Sequence, residues 1–303
     1  MRLPASLPEP FRVAPFAVSA ATSSGISPER LRRRDLDSPF WGVRVPGEPI
    51  RSFEALCIAF AVRMPADAFF SHLTAARIFG MPVASRFAGD ERLHVGTPPP
   101  RRAVRGRGVR GHQLTGDPSE IVIVRDLPLT SPARTWIDLA RGMTIEELVV
   151  LGDYLLSWRH PLTTHEHLAE AVRSAAGRRG VSNAALALPY LSDRSDSPPE
   201  SQFRYRFAQA GLPPAIPNKD ILTSTGGFLA MPDLMFEEYH ELFDYEGDHH
   251  RTDEHQWNKD IARVRTLEAH GWHSTRGSKA DLRDSSAVIK RMELLLTSKG
   301  WRR

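Results

Sequence analysis

The 303-residue chain has little cysteine, little net charge and no long apolar run. Its single cysteine, Cys57, sits in an apolar stretch, which excludes an internal disulfide and any thiolate-based metal site. No apolar segment approaches the ~20 residues that span a bilayer. The opening MRLPASLPEPFRV lacks the apolar core of a secretory signal, so a cytoplasmic location is the expectation. Net charge is only +4, a mild pull toward polyanions. What is present fits a soluble globular chain long enough for two or three cores, with 41% apolar and 25% charged residues. The positive excess lies in residues 1–199, with 25 Lys and Arg against 20 Asp and Glu; from 200 onward the count is 15 against 16, with six of the twelve histidines.

The pattern predicts three regions of an α/β (α+β) chain. In residues 1–60, Val18, Ala21, Ile26 and Leu31 have helical spacing around Ser-Ser-Gly, and Ser27-Pro28-Glu29 is a helix start. PFWGVRV then reads as a strand. Helix, turn, helix, strand is the order of a small winged helix, with Arg30, Arg32, Arg33 and Arg34 at the end of its second helix. Those arginines suit DNA phosphates or, equally, a solvated helix C-terminus. In residues 61–190, SHLTAARIFG predicts a helix closed by Gly80, and LHVGTPP, VRGHQL and EIVIVRDLPLT predict a small antiparallel sheet. The loop PPPRRAVRGRGVRG, with Arg105 and Arg107 among five arginines and no acid, suits nucleic acid or a solvated hairpin tip. SPARTWIDLARG, TIEELVVLGDYLLSW and LTTHEHLAEAVRSA predict amphipathic helices. His165-Glu166-His167 lacks the i, i+4 spacing of a helical metal pair. The polar PYLSDRSDSPPE marks a boundary, so residues 191–303 form the third region.

That region carries the densest chemistry. SPPESQFRYRFAQAG predicts a capped helix, GGFLAMPDLMF and HELFDYEG two strands around the acidic turn Glu237-Glu238-Tyr239, and EHQWNKDIARVRTLEAHGW a long helix. Leu-Phe-Asp-Tyr-Glu-Gly-Asp-His-His, residues 242–250, runs from an apolar pair into acids and histidines. Asp244 and Glu246, two apart on a strand, point to one side of the sheet. Asp233, following Pro232 in the neighbouring strand, comes alongside, and Glu200 on the preceding helix completes a group of four acids. Carboxylates gathered this way repel unless a cation joins them, and an all-oxygen donor set selects Mg²⁺ or Mn²⁺. Taken singly, Asp233 reads as a strand-end acid, Glu200 as a helix N-terminal charge, Asp260 and Arg263 as an intrahelical ion pair, and Trp257 and Trp272 as core. His249 divides evenly between site and solvent.

Two resemblances sharpen these readings. PFAVSAATSSGIS, RRRDLDSPFWGVRVP, SHLTAARIFGMPV, LHVG and above all LPLTSPARTWIDLA resemble the AbiEi-type antitoxin and regulator family, which implies a DNA-binding ancestry for the first region. Glu200, Met231-Pro232-Asp233, Asp244-Tyr245-Glu246-Gly247, His249-His250, Asp260, Arg263 and Gly271-Trp272 resemble the PD-(D/E)XK nuclease core, in its very-short-patch-repair endonuclease-like branch. This resemblance implies a mixed sheet flanked by helices, metal ligation by Asp233, Asp244 and Glu246, a helical acid at Glu200, and His250 as the group that activates water. No lysine holds the third position of the general signature; Glu246 stands there, as the acid does in this branch. The chain departs from its close relatives in that the acid pair reads Asp then Glu rather than Glu then Asp, and in that His273-Ser274-Thr275-Arg276 stands where an apolar strand is usual.

The expected function is a Mg²⁺- or Mn²⁺-dependent DNA endonuclease, with Arg251 or Lys259 offsetting transition-state charge. Arg32, Arg33, Arg34, Arg105 and Arg107 would contact DNA. The alternatives are an AbiEi-like antitoxin or transcriptional regulator with an inactive nuclease-like domain, and an interaction protein that shares only the architecture. A cognate toxin or a second copy of the chain are the further partner classes left open.

Overall fold

The structure, a computed structural model, describes residues 6–247 and 254–303, with the backbone alone for 254–261. Helices and mixed sheets make it α+β. The chain divides into two units, Met1–Leu139 and Ala140–Arg303.

The first unit opens with β1 (Phe16–Ala17), α1 (Val18–Ser23), β2 (Leu36–Asp37) and β3 (Val43–Pro46), whose strands form an antiparallel sheet in the order β1-β3-β2. Phe11, Phe16, Ala21, Ile26, Leu31 and Leu36 pack as its core. The helix expected after Ser27-Pro28 does not form; Arg30–Arg32 make one 3-10 turn and Arg33 is already extended. Packing explains this. Leu31 and Leu36 both enter the same small core, and residues five apart on an α-helix lie about 140° apart. A turn brings them together, and Arg30 clasps the Asp35 carboxylate at 2.8 and 3.1 Å across it.

Next come α2 (Phe53–Ala61), β4 (Phe69–Phe70), α3 (His72–Ile78), β5 (Leu93–Thr97), β6 (Val109–Gln113), β7 (Ile121–Val124), β8 (Leu127–Thr130) and α4 (Pro132–Ala140). Their sheet, in the order β6-β5-β4-β8-β7, is mixed rather than antiparallel, since β5 runs parallel to β6 and β4 to β8. The arginine-rich loop is therefore a crossover between parallel neighbours and not a hairpin tip. Gly111 permits it, because a side chain there would collide with the Val104 backbone.

The second unit contains α5 (Ile145–Leu156), α6 (His165–Ser174), α7 (Val181–Ala187), α8 (Pro198–Gln209), β9 (Ile216–Pro217), β10 (Ile221–Leu222), β11 (Phe228–Ala230), β12 (Leu234–Phe236), β13 (Glu241–Glu246), α9 (Glu254–Ala269), β14 (His273–Ser278), α10 (Lys279–Arg283) and α11 (Ser286–Ser298). Thr144, Thr164 and Ser197 start α5, α6 and α8 by accepting a backbone N–H, the last in the helix expected to be capped. The polar stretch 189–199 lies within this unit and is tied down: Asp153 Oδ1 accepts from Ser192 N–H at 2.7 Å, and Asp193 O from Trp158 N–H at 2.8 Å.

A four-stranded sheet ordered β14-β13-β12-β9 centres the unit, with β12 antiparallel to both neighbours and β13 parallel to β14 across the α9 connection. Strand alternation splits its side chains cleanly. Leu234, Phe236 and Phe243 pack with Phe203 and Phe207 of α8 and Val288, Met292 and Leu296 of α11. Met235 and Leu242 face the other way, with Leu267 of α9, Ile221 and Ala230. The first predicted strand of this region is broken in two. Pro232 has no N–H for a ladder, so Met231-Pro232-Asp233 separates β11, paired with β10 in its own hairpin, from β12.

Candidate functional site

Asp233 ends that break, immediately before β12, and Asp244 lies on β13, the strand beside it. The two acids are coupled through the backbone: Asp244 Oδ1 accepts from Asp233 N–H at 3.3 Å, and Asp233 Oδ2 accepts from Tyr245 N–H at 2.6 Å. Asp244 also accepts from Ser274 Oγ–H of β14 at 2.9 Å and pairs with Arg263 of α9 at 3.2 Å. Asp244 thus projects to the α9 side of the sheet, as alternation from Leu242 requires.

Glu200 is in the first turn of α8 and is buried. Its carboxylate accepts from Ser197 Oγ–H at 2.6 Å, Asp196 N–H at 2.9 Å and Asn218 Nδ2–H at 2.6 Å. Asn218 in turn donates its backbone N–H to Asp233 O at 3.2 Å. Glu200 therefore holds the segment on which Asp233 stands. Its own charge is disfavoured by burial, which raises its pKa.

Asp233 registers the crowding most strongly. Burial, then the neighbouring carboxylates of Glu200 and Asp244, push its pKa from 3.8 to about 7, against the opposing Tyr245 N–H and Arg263. Glu246 ends β13 and is exposed, in a close ion pair with Arg276 of β14. So Glu200 reaches Asp233 through Asn218 and Asp244 reaches it through the backbone, and Glu246 lies two residues along the same strand face as Asp244. Their donors are all carboxylate oxygens, the set that hard cations prefer, whereas among the described residues His72, His94 and His112 are the group that brings three ligand atoms within metal-holding distance. His249, His250 and Arg251 lie outside the described residues, as do the side chains of Trp257, Lys259 and Asp260.

The polarity of β14 has a partner-based cause. Ser274 serves Asp244, while His273 Nδ1 and Thr275 Oγ1 meet the fully buried Glu241 at 2.8 and 3.0 Å, with Lys299 Nζ on Glu241 at 2.9 Å. An apolar β14 would leave these acids unsatisfied.

In the first unit, Arg32, Arg33, Arg34, Arg105 and Arg107 are all exposed. Arg107 lines an open groove with Trp41, Arg63, Asp90 and Arg92. Trp41 is 87% exposed, and the Arg63 guanidinium stands 5.6 Å from its ring.

One group escaped the sequence reading. His72, His94 and His112 bring ring nitrogens within 4.8 Å of one another, close enough to hold a metal ion. They are 22 and 18 residues apart along the chain, a separation that no ligand-spacing rule covers. Burial first, then neighbouring positive charge, lowers the pKa of His112 to about 4, and burial lowers His94 to the same range against the pull of Asp90. His72 falls further, again chiefly by burial. All three rings are neutral at pH 7.

Compared with known proteins, the chain matches no family model, no curated protein and no solved structure.

Proposed function

We propose that this chain is a metal-dependent DNA endonuclease whose active centre is built on Asp233 and Asp244. The observation that carries the reading is the pairing of these two acids from adjacent strands, with the Asp233 pKa raised first by burial and then by its neighbours. Support comes also from the frame: a helix bearing Glu200, a mixed sheet, and a helix joining its two parallel strands. Asp233 and Asp244, with Glu246 at the strand end, would hold Mg²⁺ or Mn²⁺. Such an ion supplies Lewis-acid polarisation of the phosphate and a lower pKa for bound water. Glu200 orients Asp233 through Asn218. Among the described residues, Arg263 and Arg276 stand beside the acids as cations for a phosphate that enters there. His250 is assigned the proton of the attacking water. Exposed arginines of the first unit add affinity for the DNA backbone, and Trp41 offers a face for a base.

The test is nicking of supercoiled DNA by wild type, Asp233→Asn and His250→Ala, with Mg²⁺ and with EDTA. Cleavage should require Mg²⁺, vanish in Asp233→Asn and slow by about 10²–10⁴-fold in His250→Ala. Equal residual nicking by all three would reduce the acids to a charged strand end. One observation favours the second reading, a DNA-binding regulator with a silent nuclease-like domain. Arg263 and Arg276 already neutralise Asp244 and Glu246 as ion pairs. A chain that binds DNA and Mg²⁺ and never cuts would support it.

A further inference from the structure

We propose that His72, His94 and His112 form a three-imidazole site for a divalent transition-metal cation of the zinc class, in which Asp90 orients the His94 ring. The site is separate from the acidic pair and independent of the endonuclease reading.

The backbone brings the rings together at one place on the five-stranded sheet. His94 lies on β5 and His112 on its parallel partner β6, where Gly96 is paired with His112. His72 turns in from the start of α3, with a positive φ of 47° that few non-glycine residues adopt. His94 Nδ1 and His112 Nε2 are 3.1 Å apart. Two nitrogens bound to one tetrahedral zinc at ~2.0–2.1 Å would stand about 3.3 Å apart, so the spacing nearly matches a coordination edge.

The supporting contacts suit ligation through Nδ1 of His94 and Nε2 of His72. If His94 ligates through Nδ1, its proton sits on Nε2. That atom is buried, has no hydrogen-bond partner, and faces Asp90 Oδ2 at 3.6 Å. The carboxylate is one small shift from the histidine–carboxylate pairing that metal-bound imidazoles favour. Two bonds from Arg92, at 2.7 and 2.8 Å, keep Asp90 anionic. His72 Nδ1 meets the buried Ser71 Oγ at 3.0 Å, which leaves its Nε2 for the cation. His72 and His112 are half-buried, so the fourth coordination position opens toward solvent. Their rings stack at 3.9 Å, and one must tilt on loading.

Donor chemistry sets the class of ion. Three neutral imidazoles without thiolate suit Zn²⁺, Co²⁺, Ni²⁺ or Cu²⁺ and serve the oxygen-seeking Mg²⁺ and Ca²⁺ poorly. The charges facing the site are Asp90, Arg92, Arg110 and Arg134. Arg92 is paired with Asp90, Arg134 with Glu120 and Asp138, and Arg110 stands 3.9 Å from Asp90, the longest of these pairings, so Arg110 is the main opposing charge.

The competing account is a ring-to-ring hydrogen bond between His94 and His112 with no ion. Zinc titration of the full chain against a chromophoric chelator separates the two, run in the Asp233→Asn variant so that the acidic pair contributes little. We expect one zinc per chain, a raised Tm, and with Co²⁺ the visible absorption of a tetrahedral centre. His112→Ala, on the edge strand, and His72→Asn, which tolerates the backbone, should each lower affinity at least tenfold. Asp90→Asn should lower it by about 10–100-fold while leaving the stoichiometry at one. Circular dichroism identifies any variant that fails to fold. Overturning results would be no zinc retained by the folded chain, or equal retention by His112→Ala and His72→Asn.

Discussion

The backbone N–H of Asp233 donates to Asp244 Oδ1 at 3.3 Å, so two acids eleven residues apart share one end of the sheet. Burial first, and then the Glu200 and Asp244 carboxylates, raise the Asp233 pKa to about 7. A raised carboxyl pKa means that the folded chain holds the proton more tightly than the unfolded one. The stability it contributes is therefore present below about pH 4 and is lost as pH rises through about 7. Asp233→Asn should stabilise the metal-free protein by on the order of 1–3 kcal/mol at about pH 8 and by nothing near pH 4. Urea unfolding at both pH values measures the difference; a gain independent of pH would mean that the carboxyl is not strained.

Gly277 of β14 should tolerate no side chain. A Cβ there would overlap the Phe243 ring, which is wedged between Phe203 at 4.7 Å and Phe207 at 5.1 Å. The Phe243 ring has nowhere to retreat, so Gly277→Ala should cost about 1–3 kcal/mol, the usual penalty of overpacking. The midpoint of thermal or urea unfolding reads it directly.

Glu241 is fully buried, and Lys299 of α11 supplies its counter-charge. Removing the amine strands a fully buried acid, whereas replacing the acid by an amide leaves an ammonium that keeps the His240 carbonyl at 2.9 Å and is partly open to water. Lys299→Met should therefore destabilise by about 2–4 kcal/mol, and Glu241→Gln by less. The reverse order in urea melts would show that the carboxyl is held by His273 and Thr275 alone.

If DNA runs over the first unit, the Arg32→Ala, Arg33→Ala, Arg34→Ala triple variant should bind all sequences more weakly. It should also flatten the dependence of log affinity on log salt by about one unit per lost phosphate contact. Fluorescence anisotropy across a salt series makes the measurement. Unchanged slopes would leave these exposed arginines as a solvated face.

Local rules, acting within a turn or a strand, were legible in the sequence. Ser197 announces a helix start, Gly80, Gly211 and Gly271 mark helix ends in positive φ, and Leu242-Phe243 form a buried strand running into Asp244 and Glu246. The common side of Asp244 and Glu246 follows from the two-residue period alone.

Tertiary structure decided everything that depends on strand register and on sharing a core. Asp233 reaches Asp244 because β12 pairs with β13, and the polar β14 is tolerated because its parallel register lays Ser274 and Thr275 against the acids of β13. The helix expected after Ser27 gave way to a turn because Leu31 and Leu36 enter one core. His72, His94 and His112 meet only because α3, β5 and β6 converge, and no short-range pattern encodes contacts between residues 18 or 22 apart. Side-chain periodicity is a property of one element, whereas proximity between elements is a property of how they pack.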